Sequence, residues 1–128
     1  MNNELFLGLS YTSTLIVEKE HTASHYGSGL LDVFATPAMV ALMENAAMMA
    51  VEPYLPEGGG TVGAKVSVQH IKATPLEMKV SAKAELTKVE GRKLEFTLNA
   101  WDEKGEIGSG THTRYMIDVK RFIEKVGS

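Results

Sequence analysis

Thr36, Glu44 and His70 are polar residues set in apolar surroundings, and their types suit acid–base or acyl-transfer chemistry. Glu44 lies within Pro37-Ala-Met-Val-Ala-Leu-Met-Glu44-Asn-Ala-Ala-Met-Met-Ala-Val51, a segment that is otherwise almost wholly apolar. A helix apolar around its whole circumference is expected to be buried. A carboxylate buried there without a partner costs several kcal/mol or has its pKa pushed upward. Glu44 is therefore expected to have a partner or a task. His70 falls in register with Val62, Ala64, Val66 and Val68 on the apolar face of a β-type segment, a face expected to look toward the helix. A carboxylate and an imidazole on facing buried surfaces meet the needs of general acid–base catalysis, and the carboxylate would raise the pKa of the imidazole. The alternative is a structural Glu–His hydrogen bond holding strand to helix. Thr36 supplies a hydroxyl at the helix start, where unpaired backbone N–H groups favour developing negative charge; it also reads as a plain N-cap. Eight residues of helix span about 12 Å, so Thr36 and Glu44 of one chain cannot touch along a straight helix. Either residues 34–37 fold back, or Thr36 meets Glu44 and His70 across a subunit interface.

Other residues give weaker signals. His112 and Arg114 share a strand face with Gly108 and Gly110, which leave room for a ligand or for a close backbone approach. On local grounds Arg114 is expected to pair with a surface carboxylate. His21 and His25 read as solvated loop histidines, because no Cys or arranged carboxylate accompanies them, and no metal site is expected. Gly58-Gly59-Gly60 lacks a following Lys-Ser/Thr and is a turn, not a phosphate loop. Met39, Met43, Met48 and Met49 fill a core or wall an acyl pocket. Trp101, alternating outward with Asn99, is expected at a partly buried edge.

The elements that must position these groups follow from the pattern. Residues 10–18 are rich in β-branched and aromatic types and read as a strand; 19–35 read as irregular. Thr36-Pro37 starts the helix, which runs to Val51 or Glu52 before Pro53, Pro56 and the glycine run. Alternating segments then begin at Val62, Met78, Leu94 and Ile107, the last reaching Val119, with turns at Glu90-Gly91-Arg92 and Asp102-Glu103-Lys104-Gly105. One helix followed by a run of antiparallel strands, each with one apolar face, predicts an α+β hot-dog fold: a curved antiparallel sheet of about five strands around one long central helix.

Composition narrows the function. The 128 residues, 44% hydrophobic, fit a single domain spanning 1–128. Zero cysteines exclude disulfides, thiolate zinc and a cysteine nucleophile, and fit a cytoplasmic protein. The net charge of −3 gives no basic field for nucleic acid, and no apolar run is long enough to span a membrane.

Several stretches resemble the fluoroacetyl-CoA thioesterase-like branch of the hot-dog thioesterases. They are Gly27-Ser-Gly-Leu-Leu-Asp-Val-Phe-Ala-Thr-Pro-Ala-Met-Val-Ala-Leu-Met-Glu44-Asn-Ala-Ala, Thr61-Val-Gly-Ala, Val68-Gln-His70-Ile-Lys-Ala-Thr-Pro, Val89-Glu-Gly-Arg and Glu106-Ile-Gly-Ser-Gly-Thr-His-Thr-Arg114. They span nearly the whole chain in the family's order. The resemblance implies a homodimer that hydrolyses acyl-CoA thioesters at or near the subunit interface, with coenzyme A as part of the substrate and no separate cofactor. The family's catalytic positions fall on Thr36, Glu44 and His70, its glycine beside the reaction centre on Gly63, and its strand arginine on Arg114. Glu44 is expected as nucleophile or general base, His70 as acid/base and Thr36 as positioning group. In one respect the chain departs: the longer, Phe-bearing lid of fluoroacetyl-selective members is replaced here by Gly27 to Leu30, so fluoroacetyl-CoA is not assigned as substrate. The rival readings are a hot-dog hydratase or dehydratase on hydroxyacyl thioesters and a non-catalytic acyl-binding module.

Overall fold

The computed structural model describes residues 4–128. Strand β1 (Ser10–Ile16) leads through a 3-10 turn (Lys19–His21) and the one-turn helix α1 (Ala23–Tyr26) to the long helix α2 (Thr36–Val51). Strands β2 (Gly59–His70), β3 (Lys79–Glu90), β4 (Lys93–Asp102) and β5 (Gly105–Asp118) follow, then helix α3 (Val119–Lys125). The five strands form one antiparallel sheet in the order β1-β3-β4-β5-β2, curved around α2 as a hot-dog fold. Helix α3 is not foreseen by the sequence pattern: its seven residues are too few for a periodic signal, and Asp118 starts it by accepting the backbone N–H of Arg121. Trp101 lies on the outer face of β4, an interior strand, so the expected edge position is corrected.

Helix α2 forms because Ala, Leu and Met have high helix propensity and Pro37 suits the first turn. Pro53 ends it by lacking the N–H for the next i→i−4 bond; Glu52 keeps a helical backbone and the chain passes into a 3-10 turn (Glu52–Tyr54). Its N-cap is Ala35, with no side-chain cap bond; Thr36, expected as the cap, is the first helical residue. The helix is also not buried all round. Ala38, Met39, Leu42, Met43, Ala46, Ala47, Ala50 and Val51 are buried, but Pro37, Ala41 and Asn45 are exposed and Val40, Glu44 and Met48 are half-buried. That uncovered stripe recurs at helical spacing because one chain's sheet packs chiefly on the β1 and β3 side of the helix.

Two glycines on β5 decide how closely the layers approach. A Cβ on Gly108 would lie 2.7 Å from Met39 Sδ and 2.8 Å from the backbone oxygen of Gln69, and one on Gly110 would strike the Ser67 carbonyl. These glycines therefore serve backbone and helix packing, the second of the two readings of that face. Overpacking at such a site costs about 1–3 kcal/mol, so Gly108→Ala should lower the urea midpoint accordingly without changing the slope.

Candidate active site

A β-bulge sets the geometry of the site. Gly63 pairs with Arg114 and Lys65 with Thr113, which leaves Ala64 as an extra residue between them. The extra residue reverses the alternation, so Thr61 and Gly63 face inward with Met116 and Arg114, while Val62 sits opposite exposed Tyr115. The face expected to hold Val62, Ala64, Val66, Val68 and His70 is thus broken at the bulge, and only Val66, Val68 and His70 keep that register.

Bringing Gly63 inward makes space for Glu44. A Cβ there would lie 2.6 Å from Glu44 Oε2, 3.2 Å from His112 Cε1 and 3.3 Å from Arg114 Nη1. A side chain here would displace the Glu44 carboxylate from its present position. Arg114 is 7% exposed and is not in a surface ion pair, which corrects the local expectation. Its Nε donates to Thr61 Oγ1 at 2.9 Å and its Nη2 to the Thr61 carbonyl at 3.1 Å. His112, also buried, has Nδ1 2.8 Å from the Lys65 carbonyl oxygen. A carbonyl only accepts, so Nδ1 bears the proton, and Nε2 is left to accept from Arg114 Nη1 at 3.2 Å.

This arrangement settles the charge on His112. Its Nε2 lies 3.9 Å from Glu44 Oε2, close enough for an ion pair if the ring were protonated. Yet burial lowers its pKa, helped by the Arg114 charge and opposed by the Lys65 hydrogen bond and by Glu44. A ring that accepts from a guanidinium is neutral at neutral pH, so Arg114 provides the positive charge facing Glu44. The carboxylate, its side chain 38% exposed, opens into a pocket of about 330 Å³ walled by Ala41, Asn45 and Met48 with Gly63 and Arg114. It is more open than an all-round buried helix implied.

His70 belongs to a second cluster. Its Nδ1 lies 2.8 Å from Thr36 Oγ1, and its ring meets Phe34 edge to face at 6.4 Å. Its Nε2 is buried with no hydrogen-bond partner among the described residues. Burial lowers the pKa of His70, with the Lys72 backbone acting the other way, so the expected increase does not occur within the chain. Thr36 and His70 line a cavity of about 290 Å³ with Phe34 and Ala35 at the uncapped start of α2. Here the helix's free N–H groups present partial positive charge.

The expected Glu44–His70 pair is therefore not made within one chain. Gly63 and His70 are seven residues apart on β2, roughly 20 Å along the strand. Glu44 is grouped with Gly63, His112 and Arg114, and Thr36 with His70. In the sequence His112 stands out only for sharing a face with Arg114. Asp102, expected in a turn, is a 5% exposed carboxylate held by Lys72 Nζ (3.0 Å), Thr74 Oγ1 (2.8 Å) and Lys104 N (2.7 Å). Those partners outweigh burial and lower its pKa. The contacts pin residues 72–74, just beyond His70, to the β4–β5 turn. Among the described residues, no His, Asp and Glu side chains gather as a metal site.

Comparison with known proteins shows the family. Residues 17–120 match the family model of the fluoroacetyl-CoA-specific thioesterase FlK. The fluoroacetyl-CoA thioesterase of Streptantibioticus cattleyicolor is 39% identical over 132 aligned residues, covering 98% of this chain and 95% of that protein. A crystal structure of a mutant of the fluoroacetyl-CoA-specific thioesterase, in complex with fluoroacetate and CoA, superposes with a TM-score of 0.86 at 39% identity, covering 92% of this chain and 99% of that one. A thioesterase superfamily member from Thermus thermophilus superposes with a TM-score of 0.87 at 26% identity, covering 93% of this chain and 88% of the other. With its catalytic-type side chains divided between two clusters on a hot-dog scaffold, the chain belongs to the fluoroacetyl-CoA-specific thioesterase family.

Proposed function

We propose that this protein hydrolyses a small acyl-CoA thioester to the free acid and coenzyme A. The observation that carries the reading is the Glu44 carboxylate, open to a pocket and seated against Gly63, where a Cβ would push it aside. In this scheme Glu44 attacks the thioester carbonyl or takes a proton from the attacking water. Thr36 and His70 form the acid/base and positioning pair, and the uncapped start of α2 stabilises the oxyanion. Gly63 and Arg114 shape and charge the carboxylate side. The short segment Gly27 to Leu30, set against the longer Phe-bearing lid expected of fluoroacetyl-selective members, supports a substrate without fluorine.

Two half-sites in one chain are naturally completed by a second copy. Strand β2 is a twelve-residue sheet edge, which proteins seldom leave unpaired, and the uncovered stripe of α2 lies next to the Glu44 pocket. An isologous antiparallel β2–β2 contact centred between Val66 and Ser67 sets Gly63 of one protomer opposite His70 of its partner. The proposed homodimer thus joins Glu44 of one subunit to Thr36 and His70 of the other. Among the described residues no helix is long and apolar enough to cross a membrane, and a cysteine-free enzyme of CoA esters fits the cytoplasm.

The test is thiol release over a panel of short acyl-CoAs. Release from at least one ester is expected; its absence across the panel, or water addition to an enoyl-CoA without free thiol, would refute hydrolysis.

A further inference from the structure

Asp102 is a buried carboxylate that the chemistry above does not use. Its side chain is 1% exposed. One oxygen, Oδ1, accepts from Lys72 Nζ at 3.0 Å and from the Lys104 backbone N–H at 2.7 Å. The other, Oδ2, accepts from Thr74 Oγ1 at 2.8 Å and from Lys72 Nζ at 3.3 Å. Stability alone is a weak reason for such a group, because apolar side chains of similar volume often serve a buried site as well. What the carboxylate does bring is fixed geometry, through charge-assisted bonds to several donors at once. Two of those donors lead to one place. Lys72 lies two residues beyond His70 and lines the cavity that holds Thr36 and His70. Thr74 is fully buried, and its backbone carbonyl accepts the Phe34 N–H at 2.9 Å. Phe34 in turn meets the His70 imidazole edge to face, two residues before Thr36. The chain leaving His70 and the chain leading into Thr36 therefore both return to the same carboxylate, a circuit closed by the 2.8 Å contact of Thr36 with His70.

We infer that Asp102 is a positioning residue for the Thr36–His70 pair: through Thr74 and Lys72 it sets the two walls of the cavity at the separation their contact needs. This role rests on the thioesterase reading above, in which Thr36 and His70 serve the ester. One wall is 70–73, pinned at its far end by Lys72 and Thr74. The other is 33–36, tied to it by the Phe34 N–H and by the Val33–Pro75 bridge. The Ile71 N–H, bonded to the Ile107 carbonyl at 2.7 Å, anchors only the first residue after His70 and leaves 72–74 to the carboxylate. Asp102 itself does not line the cavity, so it acts through these neighbours and not on substrate. Position matters on this scale, because misplacing a reacting group by 1 Å can cost about 10²-fold in rate.

Three variants test this role. Asp102→Asn keeps the side chain's shape and one acceptor but loses the charge and the second acceptor. Thr74→Val is isosteric and removes only the hydroxyl, and Thr74→Ser restores it. For each, kcat and KM are measured on the best acyl-CoA ester below the melting range. In parallel the Cε1–Hε1 signal of His70 is followed by NMR, assigned by its loss in His70→Ala. Asp102→Asn and Thr74→Val should lower kcat by about 10- to 100-fold, with KM within about twofold of wild type, and both should move the His70 signal. Thr74→Ser should recover both readouts. A mere brace of the fold would lower the melting midpoint with kcat and the His70 signal unchanged. That result, or a change in KM alone, or Thr74→Ser behaving as Thr74→Val, would overturn the inference. If Asp102→Asn does not fold, the two Thr74 variants decide. If the wild type releases thiol from no ester, the thioesterase reading falls, and the His70 signal still decides the geometry: movement supports the link to Asp102 and its absence overturns it.

Discussion

Glu44→Gln is expected to reduce thiol release from the best acyl-CoA substrate by about 10³-fold, the order lost when a positioned acid–base group is removed. Gln keeps the size and shape of the side chain, so the Gly63 opening remains filled as before. It cannot accept a proton from water or attack a thioester as a carboxylate can. Stability should fall by no more than about 1 kcal/mol: the carboxylate is partly exposed and its 3.9 Å neighbour His112 is neutral, but the buried Arg114 loses the negative charge it faces. The check is a kcat measurement with CoA release followed colorimetrically, alongside a urea melt on the same sample. Near-full turnover with an unchanged melt would remove Glu44 from the mechanism and leave the Gly63–His112–Arg114 cluster as packing.

Much of this site is legible in the sequence because its residues conflict with their surroundings. An acid in an apolar helix and an imidazole on an apolar strand face stand out from residue types alone, and both line pockets. Which groups pair is not legible. Strand alternation assumes an unbroken period of two, and the single extra residue at Ala64 changes which side chains share a face. The bulge turns Gly63 inward, and with it opens the Glu44 pocket, but an Ala between Gly and Lys does not announce a bulge. The whole-circumference apolarity of α2 is a demand for burial, yet one chain satisfies that demand on one side only. Asp102 gives no signal because an Asp beginning a turn looks the same whether its carboxylate faces water or, as here, gathers a lysine, a threonine and a backbone N–H. Its lowered pKa means the stability it contributes is fully present above the unfolded-state value and is lost as pH falls through the folded-state value, below 3.8.

Mixing two inactive variants should restore activity. If each site takes Glu44 from one subunit and Thr36 with His70 from the other, then Glu44→Gln homodimers and His70→Ala homodimers are both dead. A heterodimer of the two gathers both lesions in one site, where the subunit carrying Glu44→Gln faces the partner carrying His70→Ala. Its other site keeps an intact Glu44 and an intact His70. Random exchange of equal amounts makes about half the dimers heterodimeric, each with one working site, so about one quarter of wild-type activity should return. Exchange can be driven by dilution and reconcentration, and followed by native mass spectrometry so that rescue is scaled to the heterodimer actually present. The outcome separates a shared site from a self-contained one. A site contained within one protomer would put the two lesions in different sites of the heterodimer, and mixing would then restore nothing. The 2.8 Å Thr36–His70 contact and the separate Gly63–Glu44 pocket favour recovery, because the strand length between them is too great for an imidazole and a carboxylate of one chain to meet.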